Sequence, residues 1–582
     1  MLAAAVALVS CEMDFYSSDT MTSSMLAANP DAAVYTTDGN YAMLKDEIDY
    51  SNTRSGNDFS RLYFLMHELR GDNVSLCARS TDPLYEDLTY ADDPTKADLS
   101  YMWYICYKII YGCNTNIEAM KEGTPETNHL IGENYFLRAF CHFTLCNLFA
   151  TPYTLGDQKR PDEYGVIIRT STDVSKTERA KVGKVYEQIV ADLKEAIRLM
   201  EGSSRGTNKG YASFDAARGL LTRVYLYMGE NELCAQLCDE MLGTAPAANL
   251  HPQGIENYYP NTLTSPETLW CIGKSQNDPG FISSPGGELA SIYYTPMDDL
   301  TLGWAEQSWS DPLLDLMMRH PEDKRLTYFV PFFQTNDGQK MVTYPRYDEK
   351  VSHRVNEAVH SLDFDVTAET NSFTYGGTTY TVKKKDVNGY PAYYIENLYA
   401  DDVDKDDITG GTRCYVRDNQ SWNKGFHSKT QYSAPIYAMS KFSYQDGLAM
   451  LASPAVIRWA EIVLNRAEAN AKIGGKDQAV LDDLNVIRTR AGIPTWGSEA
   501  DWKAEGYKEL LDVVLDERRL ELCFEGHRAL DLYRNNRSID RRFAGAHTYE
   551  VLTPEQLDKI YPYCIPFDEI SVTHIPGNGK NY

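Results

Sequence analysis

The feature that most constrains this chain is a helical period that appears in two separated blocks. In Glu133–Ala150 the residues Phe136, Phe140 and Phe143 fall at i, i+4 and i+7, which is one face of a helix. Tyr186, Ile189, Val190, Leu193, Ile197 and Met200 repeat the pattern, as do Ala217, Leu220, Leu221, Val224 and Met228. A shorter helix is expected from Glu232 to Leu242, after the Gly229-Glu230-Asn231 turn. This first block runs over about residues 100–245. A second block, 451–535, reads as helices over Ala455–Lys472, closed by Gly474-Gly475, and Asp477–Arg490, closed by Gly492. One last helix is expected from Tyr507 to about Arg534. Paired amphipathic helices with short turns predict a mainly α, tetratricopeptide-like scaffold. Between the blocks, 246–450 is rich in Tyr, Gly, Pro and Asp with little periodicity, and reads as a long irregular insertion carrying short β-hairpins. One hairpin is expected in Phe373–Tyr380, around Gly376-Gly377. A long insertion of this kind, held by a scaffold, is where ligand-carrying loops are expected. A C-terminal segment, 536–582, completes a single domain over 41–582.

Composition narrows the function. With 582 residues the chain can bury a large core. Its net charge of −27 opposes nucleic acid and anionic lipid as partners. A mean hydropathy of −0.44, without an apolar run long enough to span a bilayer, argues against a transmembrane helix. Of the 12 cysteines, Cys106, Cys113, Cys141, Cys146, Cys234 and Cys238 sit in helical patterns, and no CxxC spacing suggests zinc. The N-terminus is a signal in itself. Residues 1–11 are apolar and end Leu8-Val9-Ser10-Cys11, which resembles a lipobox with Cys11 as the lipidated residue. Residues 12–40 are polar and read as a tether, with Glu12 and Asp14 resembling a surface-export signal.

Several motifs carry a family resemblance. Glu133, Arg138, Ala139 and Phe140, leading to Thr151-Pro152-Tyr153, form one. Trp103, Tyr107 and Asn114 or Asn116 form another, and Asp323-Lys324-Arg325 a third. Arg458, Glu461 and Arg466-Ala467-Glu468-Ala469, with Ile487-Arg488 and Arg490-Ala491-Gly492, form the fourth. The densest run is Glu517, Arg518, Arg519, Glu521, Leu522, Phe524, Glu525, Gly526, Arg528, Asp531, Leu532 and Arg534. Ile565-Pro566 with Glu569 closes the set, although the end, Asn581-Tyr582, departs from the usual pattern. Together they are similar to the SusD/RagB family of nutrient-binding lipoproteins. The resemblance implies a non-enzymatic, cofactor-free, outward-facing outer-membrane lipoprotein. Its implied role is the extracellular lid of a TonB-dependent, SusC-like transporter, with an oligosaccharide or oligopeptide as ligand. It implies membrane attachment by the lipid anchor only.

The candidate sites divide by chemistry. Glu517, Arg518, Arg519, Glu521, Glu525, Arg528, Asp531 and Arg534 are dense in carboxylates, but carboxylates among arginines have lowered pKa and make poor general acids. Glycoside hydrolysis needs two carboxyls facing each other across the scissile bond. The cluster therefore reads as a structural ion-pair network. The histidines form no HExxH motif, and the acidic run Asp401–Asp407 lacks the spacing of a calcium loop, so no metal site is expected. Sugars stack on flat rings. That makes Tyr85, Tyr90, Tyr258, Tyr259, Tyr293, Tyr294, Trp304 and Trp309 the candidate ligand contacts. A surface glycan-processing enzyme and a structural adhesin are the alternatives, favoured respectively by converging carboxylates and by the lack of any pocket.

Overall fold

The computed structural model describes residues 31–46, 58–76, 84–175, 177–283, 287–294, 303, 307–329, 439–543, 548 and 550–578. It also describes the strand backbones at 333–334, 340–348, 353–360, 370–375, 378–387 and 390–396. Cys11, Trp304 and the 401–407 run, as well as the Tyr85 side chain, lie outside the described residues.

The principal helices before the insertion are α1 (Ala32–Ala42), α2 (Phe59–Glu68), α3 (Ala97–Ala119), α4 (Pro125–Phe149), α5 (Val182–Met200), α6 (Phe214–Tyr227) and α7 (Asn231–Leu242). After it come α8 (Trp459–Ile473), α9 (Asp477–Ala491), α10 (Leu510–Leu522), α11 (Arg528–Arg534) and α12 (Phe567–Thr573). Consecutive helices from α3 to α7 pack side by side, α7 packs on α8, and α8 on α9 and α10. The fold is thus mainly helical and tetratricopeptide-like. The stack runs straight across the insertion, because α7 and α8 are neighbours although more than 200 residues separate them. Arg223 of α6 and Glu461 of α8, 2.6 Å apart and both buried, fasten this join.

Local chemistry sets the helix ends. Thr124 caps α4 by accepting from the Thr127 amide, with Pro125 in the first turn where its missing N–H costs nothing. Ser213 caps α6 in the same way. Helix α4 is buried on nearly every side and forms the axis of the core. Its Phe136 and Phe140 meet Trp270 edge-on at 4.9 and 4.8 Å, a geometry worth about 0.5–1.5 kcal/mol per pair beyond burial. Trp270 lies on the strand Thr268–Cys271, which pairs antiparallel with Ala455–Arg458 and so holds the insertion against the stack.

Five features depart from the sequence reading. The helix expected over Ala455–Lys472 begins only at Trp459, because Ala455–Arg458 is extended and pairs with Thr268–Cys271. The 12–40 tether ends early, because α1 is a packed helix with Thr37 and Asn40 buried. Gly112 of α3 permits this: a Cβ there would lie 2.1 Å from Asn40 Oδ1. Helical structure also begins before residue 100, with α1 and α2. The expected 507–534 helix is broken, and α10 and α11 are joined by a turn in which Phe524 takes φ 66° and Gly526 φ 79°. Lys441 Nζ donates to the carbonyls of Glu521 (3.0 Å) and Cys523 (2.8 Å), satisfying the end that the break exposes. Finally, the middle third holds more strand than expected. Lys340–Asp348 pairs with Phe333–Gln334 and His353–His360, and Thr378–Val387 with Thr370–Tyr375 and Tyr390–Glu396. The second sheet contains the expected hairpin, with Tyr375 opposite Thr378. The nine cysteines among the described residues are all buried.

Candidate functional site

Most of the aromatic candidates are core residues. Tyr258, Tyr259, Tyr293, Tyr294 and Trp309 are all buried, so they offer no face to a ligand. The physical reason is that these parts of the insertion pack into the core, and three of the five spend their hydroxyls on internal partners. Tyr258 pairs with Thr268 (2.9 Å), Tyr259 donates to Glu525 (3.0 Å), and Tyr294 meets the Tyr444 hydroxyl (2.7 Å). Tyr293 lies edge-on to Phe524 at 5.2 Å, and Trp309 sits in a short strand opposite Val74. Tyr90 is half-buried, donates to the Arg70 carbonyl (2.5 Å), and lies under the Arg70 and Arg541 guanidiniums.

The aromatic surface lies instead on α3. Its apolar residues Met102, Ile105, Cys106, Ile109, Ile110 and Cys113 face inward. On the outward side, Tyr104, Tyr107 and Tyr111 follow i, i+3 and i+7, and Tyr111 is 50% exposed. They form one wall of an open groove of ≈ 470 Å³. The segment from Ile167 to Val174 forms the second wall and α12 the third. The second wall is stapled to the first. Tyr107 Oη donates to the Ile167 carbonyl (2.9 Å) and accepts from its amide (3.0 Å). Asn114 Nδ2 donates to the Arg169 and Ser171 carbonyls at 3.3 and 2.9 Å. Arg138, bonded to Asp192 and to Asn114 Oδ1, locks the Asn114 amide from beneath.

Polar groups border the rings. Lys108 Nζ lies 5.4 Å from the Tyr104 ring and the Arg169 guanidinium 5.9 Å from that of Tyr107. Asp568 and Glu569 of α12 supply carboxylates from one wall only, so they do not face each other across the groove. Burial pushes the Tyr107 phenol well above its usual range, which leaves it a neutral donor. Flat rings beside mixed donors and acceptors suit the C–H face and hydroxyl edge of a sugar. The tyrosine spacing is present in the sequence, but Trp103, Tyr107 and Asn114 drew attention as a motif while Tyr104 and Tyr111 did not.

The carboxylate-rich run is buried and paired. Glu521 meets Arg458 (2.5 Å), Arg325 (3.4 Å) and Arg490; Glu525 meets Arg458 (2.8 Å) and Lys441 (2.7 Å). Glu517 meets Arg325 (2.8 Å) and Arg488 (3.3 Å). Asp531 meets Arg518 (2.8 Å) and Arg534 (2.7 Å), and Asp72 of the N-terminal region takes Arg528 (2.7 Å) and Arg519 (3.4 Å). Burial alone would raise the Glu521 carboxyl, but Arg490, Arg458 and Arg325 overcome it and hold the group well below the usual range. Asp72 is likewise drawn down to about 2 against its burial, by Arg519 and Arg528. Such groups have no proton to give near neutral pH. Among the described residues, no cluster of His, Cys, Asp and Glu could hold a metal ion, and no helix is long and apolar enough to cross a membrane.

Comparison with known proteins adds three findings. A family model described as the SusD family matches residues 327–562, and one described as starch-binding, associating with outer membrane, matches 21–226. A SusD-like protein of Formosa agariphila is 21% identical over 452 residues, covering 75% of this chain and 70% of its own length. Among solved structures, a SusD superfamily protein from Bacteroides thetaiotaomicron superposes with a TM-score of 0.63 at 22% identity, covering 94% of this chain and 99% of its own. A laminarin-binding SusD-like protein gives 0.55 at 20% identity, covering 95% and 100%. These likenesses concern the fold.

Proposed function

This chain belongs to the SusD/RagB family, and on that footing we propose that it is a glycan-binding lipoprotein of the outer-membrane surface. It is anchored through Cys11 and passes its ligand to a TonB-dependent, SusC-like transporter. The observation that carries the glycan reading is the groove on α3, where Tyr104, Tyr107 and Tyr111 present rings beside Lys108, Arg169, Asp568 and Glu569. The laminarin-binding relative and the starch-binding description of the N-terminal family model support the same ligand class. The function is binding without chemistry: the groove's carboxylates share one wall, and Glu521, Glu525 and Asp72 of the core are held ionised by the cations around them.

Calorimetric titration of residues 31–582 with laminarin- and starch-derived oligosaccharides tests this. Saturable binding is expected. Tyr104→Ala and Tyr111→Ala should each weaken it about three- to tenfold, the loss of one stacking contact of about 0.7–1.5 kcal/mol, with little change in melting temperature. Normal binding by both variants, or capture of oligopeptides with no glycan bound, would refute the assignment.

A further inference from the structure

The rim of the tyrosine groove is apolar where a plain sugar would not need it to be. Nine large apolar side chains are left exposed among the described residues, and three of them, Tyr111, Val174 and Val572, line this groove, one on each of its walls. Val174 is 58% exposed and Val572 78%. Single apolar side chains scattered over a surface need no explanation, but three that converge on one cavity mark a place that receives an apolar group.

Both valines are held in place by their neighbours. Thr172 donates to the Glu118 carboxylate through its amide at 2.8 Å and its hydroxyl at 2.7 Å. The Asp173 carboxylate in turn accepts from the Ser175 amide at 2.9 Å and the Ser175 hydroxyl at 3.0 Å. The turn that carries Val174 is thus tied down on both sides. Val572 stands on α12 at i+4 from Asp568 and i+3 from Glu569, so the three share a helix face. All three line the groove, with Asp568 exposed and Glu569 half-buried. No described group donates a hydrogen bond to either carboxylate, so accessible acceptors stand directly beside an accessible apolar seat.

The edge of an ordinary hexopyranose is made of hydroxyls and a hydroxymethyl group. The rings of α3 suit its C–H face, but a hydroxyl pressed against a valine loses water and gains no bond. A methyl group at the same edge gains by leaving water. A donor next to that methyl then meets Asp568 or Glu569. Two kinds of sugar unit carry both groups. In a 6-deoxyhexose the methyl neighbours the 4-hydroxyl, and in an N-acetylhexosamine the methyl and the N–H belong to one acetamido group. We propose that the tyrosine groove selects sugar units that bear a methyl-ended substituent with a hydrogen-bond donor beside it. This rests on the glycan-binding reading of the groove and adds which sugars the groove prefers.

Saturation-transfer NMR on the full chain with matched sugars tests it. L-Fucose against L-galactose and L-rhamnose against L-mannose differ only at C6, and N-acetyl- against N-formyl-D-glucosamine differ by the methyl alone. In at least one pair the methyl-bearing sugar should bind about fourfold more tightly, the effect of one methyl group taken out of water. Preference within the first two pairs assigns the deoxy methyl, and preference within the third assigns the acetyl. The Val174→Thr/Val572→Thr double variant replaces a methyl by a hydroxyl at two exposed positions, so it should melt with the parent and bring the preferred pair to within about twofold. Equal affinity within every pair would overturn the proposal and leave the valines to a protein partner, with the glycan reading intact. A preference that survives the valine variant would overturn it too, by placing the methyl elsewhere. So would the lack of saturable binding by any of these sugars, while the oligosaccharide titration with Tyr104→Ala and Tyr111→Ala judges the glycan reading separately.

Discussion

Glu521→Ala removes the most heavily shared carboxylate of the buried network. Its side chain is fully buried, and three guanidiniums, those of Arg458, Arg325 and Arg490, converge on it. Breaking one buried pair costs about 3–5 kcal/mol because a charge is left uncompensated. Three such losses do not add here, because each arginine keeps another carboxylate. Arg325 retains Asp323 and Glu517, Arg458 retains Glu267 and Glu525, and Arg490 retains Glu267. A total near that of a single broken pair is therefore expected. With an unfolding entropy of about 2.1 cal/mol/K per residue, a 582-residue cooperative unit carries about 1.2 kcal/mol/K, so Tm should fall by about 3–4 °C. Differential scanning calorimetry reads this directly. Glu499→Ala, which removes an exposed partner of Lys503, is the control and should leave Tm unmoved. Oligosaccharide affinity below the transition should be unchanged. A Glu521→Ala protein melting within about 1 °C of the parent, or one that is fully stable yet unable to bind, refutes the structural role of the cluster.

Acylation at Cys11 should hold the full-length protein in the membrane fraction, together with an outer-membrane barrel protein in near-equal amount, and Cys11→Ala should release it. An unmodified mature N-terminus by mass spectrometry would contradict the anchor. Burial lowers the pKa of His67 to about 4 and that of His142 to about 3, below the usual value near 6.5. The unfolded chain therefore takes up protons that the folded chain refuses, and stability contributed by these groups is lost as pH falls from about 6.5 through 4. Buried Asp87, raised to about 7, acts in the opposite sense over about pH 4–7, so the comparison must be between variants. His67→Gln should show a shallower acid-side loss of Tm than the parent, and parallel curves would remove His67 from the account.

Helices with a strong apolar period were legible from sequence because their burial is local: α7 and α9 lie within a residue of the expected spans. Helix α1 was not, since AAVYTTDGNYA has almost no amphipathic period and is helical through its contacts with α3 and α4. The break at Phe524 was hidden as well. Gly526, two residues on, is its one local signal and stands inside the expected helix, while the cap comes from Lys441, some 80 residues away. The carboxylates and arginines of 517–534 were visible as a run, but their partners Asp72, Arg325, Arg458 and Arg490 are contributed by distant segments. Aromatic content alone misled, because a tyrosine with an internal hydrogen bond packs as well as a phenylalanine. Of Tyr258, Tyr259 and Tyr294, the sequence displays the ring but not the buried group that its hydroxyl meets.

The direct packing of α7 on α8 makes the long insertion a closed loop whose two ends meet at one place. The entropy of closing such a loop grows only with the logarithm of its length, about 0.6 kcal/mol for each doubling. Halving or doubling the segment between Leu242 and Trp459 would therefore change the cost of joining the scaffold by less than one good hydrogen bond. The frame is in this sense indifferent to the length of what it carries, though not to Trp270, Glu267, Arg325 and Lys441, which the insertion gives to the core and to the buried ion-pair network. Rebuilding for a new ligand is therefore cheap only in the stretch between Arg325 and Lys441, where the chain can be lengthened or shortened without withdrawing those contacts.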